Sequence, residues 1–153
     1  KLLDKIQEKV SALKPNLLGN QCPNLSLPDM SGIVRKISDI KTKITVVYFW
    51  DSSCSHCKKV TPELKKIYDK FKPKGLEVYA VYTQGNQPEV VEYITKNQLN
   101  WINVWDPAQN SNFRNLFDIY STPVIYVLDK NKKIIGKRIS EESLSQMLEQ
   151  ELK

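Results

Sequence analysis

Residues 44–57 read ITVVYFWDSSCSHC and contain the two strongest signals in the chain. The first seven residues are almost all β-branched or aromatic and show no polar face, which predicts a strand in the middle of a sheet that is covered on both sides. Two cysteines, Cys54 and Cys57, follow at Cys-x-x-Cys spacing. Apolar residues then recur at intervals of three and four, which predicts a helix packed on that sheet; they are Cys57, Val60, Leu64, Ile67, Tyr68 and Phe71.

The cysteine pair lies where the predicted strand gives way to the predicted helix. We expect Cys54 at or beside the helix N-terminus, where unpaired N–H groups and the helix dipole favour negative charge. A thiolate is stabilised there, so the pKa of Cys54 should fall below that of a free thiol. Cys57 comes one turn later, faces the same way and should be the more buried. We therefore predict thiol–disulfide exchange, with Cys54 as nucleophile and Cys57 as resolving thiol.

Metal and haem sites fit this pair less well. A structural zinc site needs four ligands, and the two cysteines with the adjacent His56 supply at most three. A c-type haem motif needs His directly after the second cysteine, where this chain has Lys58. We therefore expect no metal, and no cofactor beyond a redox-active disulfide between Cys54 and Cys57.

Two other roles for these cysteines, a structural disulfide and a peroxidatic cysteine, are also disfavoured. A purely structural disulfide between these cysteines would close a loop of only four residues and would constrain the unfolded chain little. A peroxidatic cysteine with the pattern Pro-x-x-x-Thr-x-x-Cys would need Pro at position 47 and Thr or Ser at position 51. Those positions hold Val47 and Asp51.

Helices and strands alternate through the rest of the chain. Apolar residues at helical spacing predict an N-terminal amphipathic helix that ends before Pro15; they are Leu2, Leu3, Ile6, Val10 and Leu13. Short strands are predicted at residues 25–27 and 33–37, with a turn at residues 28–32 between them. Pro62 lies inside the cysteine helix and should kink it locally.

Pro73 and Gly75 should end the cysteine helix. Beyond it, the pattern predicts two more strands, two helices and a hairpin. The strands are at residues 76–83 and 101–105, a helix begins near Pro88, and a short helix covers residues 112–117. A hairpin follows at residues 123–128 and 132–138, and a last helix begins after Ser140 as its N-cap. This order predicts an α/β fold with a mixed central sheet.

Composition indicates one soluble globular domain. The chain has 153 residues with 23 Lys and Arg against 17 Asp and Glu, a net charge of +6. The basic residues are spread along the chain without aromatic interleaving, which argues against a nucleic-acid partner. No apolar run reaches the roughly 20 residues that span a bilayer. The sequence begins at Lys1 without a leader, as in a mature or trimmed product or a domain of a longer protein.

Four stretches of the chain resemble the thioredoxin superfamily, and within it the TlpA/ResA type of extracytoplasmic thiol–disulfide oxidoreductase. Residues 49–62 resemble the block F-W-x-x-x-C-x-x-C-K-x-x-x-P, and residues 19–32 resemble the leading hairpin G-x-x-x-P-x-F-x-L-x-D-x-x-G. Residues 121–129 resemble the strand T-P-x-x-x-x-x-D, and residues 87–105 resemble the helix and strand inserted in this branch. The resemblance runs from about Leu18 to the C-terminus.

The resemblance implies a thioredoxin-like fold at residues 18–153, with a mixed sheet flanked by helices on both faces, an N-terminal β-hairpin and the inserted helix–strand. Residues 1–17 would then be an N-terminal helix and linker. It also implies a cis Thr122-Pro123 bond that faces the cysteines, where the preceding backbone pairs with a substrate peptide. Trp50, Ser55 and His56 are the other residues expected to shape the site.

By the same resemblance the protein reduces disulfides of protein substrates in the periplasm or cell envelope. A membrane or thioredoxin-type electron donor would supply it, and a segment before Lys1 would allow membrane anchoring. Two alternatives stay open. One is an oxidase or isomerase on the same scaffold, and the other is a non-catalytic thioredoxin-like binding domain of a larger membrane-anchored protein.

Several positions depart from the family pattern. Thioredoxin has a buried acid on the strand before its motif, and some ResA-type proteins have Glu three residues after the second cysteine. This chain has Tyr48 and Val60 there, so the group that accepts the proton of Cys57 is not identified. A protonated His56 would stabilise the Cys54 thiolate and make the pair more oxidising. Cys22 is expected to be a buried, small apolar residue, with a third redox thiol as the alternative.

Overall fold

The computed structural model describes residues 17–83, 87–109 and 111–152. The predicted N-terminal helix lies outside these residues, so it stays a prediction. Within the described residues there are seven strands and four α-helices. They are β1 Ser26–Pro28, β2 Val34–Lys36, β3 Ile44–Trp50, α1 Ser55–Phe71, β4 Leu76–Tyr82, α2 Gln87–Lys96, β5 Ile102–Trp105, α3 Phe113–Leu116, β6 Val124–Leu128, β7 Ile134–Lys137 and α4 Glu141–Glu151.

The central sheet has five strands in the order β5-β4-β3-β6-β7. Strand β3 is its middle strand and pairs parallel with β4 and antiparallel with β6. All seven residues of β3 are buried, as its unbroken β-branched and aromatic composition predicts. The mixed sheet and the bounds of this strand are confirmed.

Alternate residues of β3 enter two separate cores, one on each face of the sheet. Tyr48 and Trp50 pack into a cluster with apolar residues of α1, α2 and α4. Val47 and Phe49 pack into the opposite cluster, which contains residues of β1 and the buried Phe113 and Phe117. Helices therefore cover the sheet on both faces, and the cysteine helix lies on the same face as α4, which it contacts.

Helix α1 is an unbroken 17-residue helix that contains Pro62. Leu64, Tyr68 and Phe71 lie on its buried face, as the three-and-four spacing predicts. A three-residue 3₁₀ turn, Lys72–Lys74, follows, and Gly75 ends it in the left-handed region at φ 114°. The kink expected at Pro62 stays a prediction.

The N-terminal strand pair β1 and β2 is antiparallel and separate from the main sheet. The carboxylate of Asp29 accepts hydrogen bonds from the backbone N–H groups of Ser31 and Ile33 and so closes the turn between the strands. The backbone of Asp29 also pairs with that of Val104 of β5 in an isolated antiparallel β-bridge. The predicted hairpin is confirmed, with its strands displaced by about one residue because Ile37 already begins a 3₁₀ turn.

The remaining predicted elements are present with small boundary differences. Strand β4 ends at Tyr82 rather than at Thr83, and β5 begins one residue after Trp101. Helix α3 begins after Asn112, whose backbone lies in the left-handed region at φ 60°. The hydroxyl of Ser140 accepts the N–H of Ser143 at the start of α4, which confirms the predicted N-cap.

Candidate active site

The cysteine pair lies at the carboxyl end of the central strand. Cys54 is the N-cap of α1 and has an extended backbone, while Cys57 is in the first turn of the helix. The N–H of Cys57 donates to the Cys54 sulfur at 3.4 Å. All three cysteines are free thiols, so the structure shows the reduced form of the pair.

The loop between β3 and α1 is held by a buried carboxylate. Asp51, 6 % exposed, accepts hydrogen bonds from the backbone N–H and the hydroxyl of Ser53, all between 2.9 and 3.0 Å. The backbone carbonyl of Asp51 also accepts the N–H of Cys54. Sequence reasoning missed this residue, although Asp two positions before Ser is typical of the Asx turns that set such loops.

The pKa of Cys54 is lower than that of an ordinary thiol. Partial burial acts to raise this pKa, but hydrogen bonds to the sulfur outweigh it. Donors include the backbone N–H groups of Cys57 and His56, the Cys57 thiol and the Thr122 side chain. The two backbone donors belong to the first turn of α1, where N–H groups have no partner within the helix. This is the direction that the sequence predicts.

The Cys57 thiol differs from that of Cys54 in the direction of its pKa shift and in its deeper burial. It is 1 % exposed, and burial is the largest cause that raises its pKa to about 11, with the neighbouring Cys54 adding to the effect. At pH 7 a thiol with that pKa is ionised in only about one molecule in 10⁴. The pair therefore combines an accessible sulfur that ionises easily with a buried sulfur that does not, which suits attack by the first and resolution by the second.

The loop before β6 lies against the nucleophile. The Thr122-Pro123 peptide bond is cis, and the Cys54 thiol donates to the Thr122 carbonyl oxygen at 3.3 Å. A hollow of about 420 Å³ opens beside this contact and is lined by His56, Pro123 and Ile139, among others. The structure thus brings Thr122 and Pro123 to the cysteines, as the resemblance implies.

The other predicted site residues differ in exposure. Trp50 is 1 % exposed and packs against Tyr82 and Tyr93 with ring centroids 5.0 and 5.4 Å apart, so it lies in the core. Its indole Nε1 has no hydrogen-bond partner among the residues that the structure describes. Ser55 and His56 are exposed on the first turn of α1. His56 lowers the pKa of Cys54 through its backbone N–H.

Cys22 lies apart from this site. It is buried in the core on the opposite face of the sheet from Cys57, and its thiol donates to the Pro23 carbonyl oxygen at 3.2 Å. Burial raises its pKa to about 12. These features favour the prediction of a small apolar residue over that of a third redox thiol.

The described residues contain neither a metal-binding cluster nor a membrane-spanning helix. In the part of the chain that the structure describes, no group of three or more His, Cys, Asp or Glu side chains is placed to hold a metal ion. Over residues 17–83, 87–109 and 111–152, no helix combines the length and the apolar character that crossing a bilayer requires.

Comparison with known proteins identifies the family. The profile of the AhpC/TSA family matches residues 18–137. The thiol-disulfide oxidoreductase ResA of Bacillus cereus is 25 % identical over 130 residues, which cover 85 % of this chain and 74 % of that protein.

Two solved structures show the same fold at higher identity. A domain of a "possible thiol-disulfide isomerase" from Cytophaga hutchinsonii is 42 % identical with a TM-score of 0.81, covering 88 % of this chain and 92 % of that one. The thioredoxin domain of a thiol-disulfide oxidoreductase from Bacteroides vulgatus is 28 % identical with a TM-score of 0.82, covering 90 % of this chain and 99 % of that one. The chain therefore belongs to the AhpC/TSA family and is a thioredoxin-like thiol–disulfide oxidoreductase domain of the TlpA/ResA type.

Proposed function

We propose that this chain reduces disulfides of protein substrates, with Cys54 as the nucleophile and Cys57 as the resolving thiol. The observation that carries the proposal is the asymmetry of the pair. Cys54 is partly exposed and its pKa is lowered by donors at the helix N-terminus, whereas Cys57 is buried and its pKa is raised to about 11. A nucleophile must be accessible and ionised, while a resolving thiol needs only to reach its neighbour.

The exchange takes place in two steps. The Cys54 thiolate attacks a substrate disulfide, forms a mixed disulfide and expels one substrate sulfur as a thiolate. Cys57 then loses its proton and attacks the Cys54 sulfur, which releases the second substrate sulfur and leaves a Cys54–Cys57 disulfide. Two electrons pass to the substrate, and an external dithiol donor returns the pair to the reduced form.

The loop at Thr122 is proposed as the substrate-binding element. The Thr122 backbone lies next to the Cys54 sulfur, so an extended substrate segment that pairs with it would carry its disulfide to the nucleophile. Pro123 and His56 line the adjacent hollow, and Ser55 is exposed beside Cys54. Trp50 supports this surface from below through its contacts with other aromatic rings.

The reductant role and the extracytoplasmic location are further parts of the proposal. The similarity to ResA thiol-disulfide oxidoreductases supports them, and a membrane or thioredoxin-type donor would supply the electrons. We propose that the oxidoreductase domain spans residues 18–153. A second candidate, disulfide isomerisation, is favoured by the 42 % identity to the domain named as a possible isomerase.

The disulfide-reducing activity is tested by the reduction of insulin with a dithiol, in which the turbidity of the solution reports the reaction. The wild type and Cys22→Ser should accelerate the reaction, because Cys22 lies in the opposite core, whereas Cys54→Ser should not. Activity retained in Cys54→Ser would contradict the proposal.

The reduction potential separates the two candidate roles. A value near that of thioredoxin, roughly −270 mV, fits a reductant, while a value towards about −180 mV, as in protein disulfide isomerase, fits an isomerase. Refolding of a scrambled disulfide substrate by the reduced protein would support the second role.

A further inference from the structure

The loop that joins β3 to α1 is fixed to β4 at its start. The Trp50 carbonyl oxygen accepts hydrogen bonds from the backbone N–H and the hydroxyl of Thr83, at 2.9 and 3.1 Å. The Ser52 hydroxyl oxygen lies 2.8 Å from that of Tyr82. These contacts set where the loop leaves the sheet, but none of them involves Cys54.

The buried residue Asp51 holds the second half of the loop. Its Oδ1 accepts the backbone N–H and the hydroxyl of Ser53, each at 2.9 Å, and its Oδ2 accepts the same hydroxyl at 3.0 Å. Its backbone carbonyl oxygen accepts the N–H of Cys54 at 3.2 Å. Asp51 is therefore bonded to both residues that come directly before the first turn of α1.

The nature of the N-cap explains why Cys54 needs this support. The side-chain acceptor at an N-cap is usually an oxygen of Ser, Thr, Asp or Asn. Here it is the Cys54 sulfur, a weak acceptor, which receives the N–H of Cys57 at 3.4 Å. So weak a cap does little to fix its own extended backbone, at φ −79° and ψ 125°. The preceding residues must do so, and the sulfur also lies 3.3 Å from the Thr122 carbonyl oxygen.

The setting of the Asp51 carboxylate differs from that of a second Asp-x-Ser turn in the chain. In the turn between β1 and β2, Asp29 accepts the N–H and the hydroxyl of Ser31 in the same way, and it also pairs with Arg35 at 3.6 Å. Asp51 is 6 % exposed, and none of the ion pairs among the described residues includes it. Burial of a carboxylate without a cation is costly, and a turn alone does not require it.

We propose that Asp51 is a positioning residue for the nucleophile: its carboxylate fixes Ser53 and thereby the backbone that presents the Cys54 sulfur to the Cys57 N–H and the Thr122 carbonyl. The proposal deepens the proposed function and rests on it. Asp51 acts through the loop and takes no part in the exchange of sulfur–sulfur bonds.

The hydrogen bonds and the charge of Asp51 act on Cys54 in opposite directions. The hydrogen bonds to Ser53 keep the sulfur at the helix N-terminus, which favours the thiolate. The negative charge disfavours a second anion nearby. Asp51→Asn removes the charge and keeps an amide oxygen that accepts from Ser53, whereas Asp51→Ala removes the charge and the acceptors. The difference between these two variants is therefore the effect of the hydrogen bonds alone.

The test is the rate of iodoacetamide alkylation of Cys54 against pH, with the modified residue identified by mass spectrometry. The midpoint of this profile should lie about one pH unit higher in Asp51→Ala than in Asp51→Asn. This is an approximately tenfold lower thiolate fraction on the acid side, the size expected when the Cys57 N–H no longer meets the sulfur. The midpoint of Asp51→Asn should not lie above that of the wild type.

The other titratable groups around Cys54 are the same in all these variants. Cys57 and His56 follow it on α1, and the hollow beside the Thr122 loop adds Lys59 from that helix, Arg138 from the segment after β7 and Glu141 from α4. A difference in midpoint between Asp51→Ala and Asp51→Asn therefore does not come from their charges.

Two further variants distinguish positioning from a general loss of stability. Asp29→Ala is the matched control, because it removes the same kind of turn from the β1–β2 hairpin. It should lower stability in urea and leave the Cys54 midpoint at the wild-type value. Ser53→Ala changes an exposed residue and keeps the charge of Asp51, but it removes the hydroxyl donor. It should lower the thiolate fraction of Cys54 about threefold on the acid side.

The possible results lead to different conclusions. Equal midpoints in Asp51→Ala and Asp51→Asn would overturn the proposal, as would an Asp29→Ala variant that moves the midpoint as far as Asp51→Ala does. Should Asp51→Ala fail to fold, an unchanged midpoint in Ser53→Ala would overturn it. A wild-type midpoint at the ordinary thiol value would overturn the proposed function and this proposal together.

Discussion

Replacing Cys57 with alanine should slow the reaction of Cys54 with an alkylating reagent. The Cys57 thiol is one of the donors that lower the pKa of Cys54, and the substitution removes it. The backbone N–H of Cys57, 3.4 Å from the Cys54 sulfur, remains. A hydrogen bond to a charged group contributes about 1.5–3 kcal/mol, and sulfur is a weak acceptor, so about 1.5 kcal/mol applies here. That loss lowers the thiolate fraction roughly tenfold.

The assay is the rate of iodoacetamide alkylation as a function of pH, with the modified residue identified by mass spectrometry. On the acid side of the midpoint the rate is proportional to the thiolate fraction, so the Cys57→Ala variant should react about tenfold more slowly there. Cys22→Ala serves as the control and should react at the wild-type rate, because that thiol lies in the opposite core. A Cys57→Ala rate equal to or above the wild-type rate would refute the reasoning.

Three further predictions follow from single contacts. His56→Pro removes a backbone N–H that lowers the pKa of Cys54, and it should make the reduction potential, measured against glutathione, more negative. His56→Ala keeps this N–H and serves as the control. A drop in potential of equal size in both variants would assign the effect to the imidazole instead. Burial raises the pKa of Cys22 to about 12, so folding favours the protonated thiol. The stability that this thiol contributes is complete below its pKa in the unfolded chain and is lost as pH rises towards 12. In urea titrations between about pH 8 and pH 11, the wild type should therefore lose up to about 3 kcal/mol more free energy of unfolding than Cys22→Ala, and parallel losses would contradict this. Tyr126→Phe removes a hydroxyl that donates to a buried backbone carbonyl at 2.5 Å and should cost about 1–3 kcal/mol in urea unfolding, whereas Tyr120→Phe, at a side chain 85 % exposed, should change nothing; equal effects would remove the hydrogen bond from the explanation.

The part of the fold that the sequence predicts best is the strand and helix around the cysteines. Their patterns are strong because each element buries a whole face or both faces, and burial is what hydrophobic periodicity records. Strand β3 has the predicted bounds, and Cys54 is the N-cap of α1. The ends of β4 and α3 are harder to predict, because Thr83 also favours a strand although β4 ends at Tyr82, and Asn112 adopts a positive φ that its neighbours do not signal.

The contacts around the site were harder to predict than its two cysteines. The hydroxyls of Tyr48 and Thr61 are separated by 13 residues in sequence and meet at 2.8 Å only because β3 and α1 pack together. No local period indicates such a meeting. The position of the Thr122-Pro123 loop beside Cys54 came from the resemblance, since an X-Pro sequence by itself gives a cis bond in only about 5 % of cases.

The difference in pKa between Cys54 and Cys57 can be measured without a substrate by titrating both thiols in the reduced protein. Thiolate absorbance in the ultraviolet follows the titration, and the variants Cys54→Ser and Cys57→Ser assign each ionisation to its residue. Cys54 should ionise below the ordinary thiol value of about 8.5, and Cys57 should ionise separately at a much higher pH, near 11 in the wild type. Two overlapping ionisations near the ordinary value would contradict the assignment of nucleophile and resolving thiol.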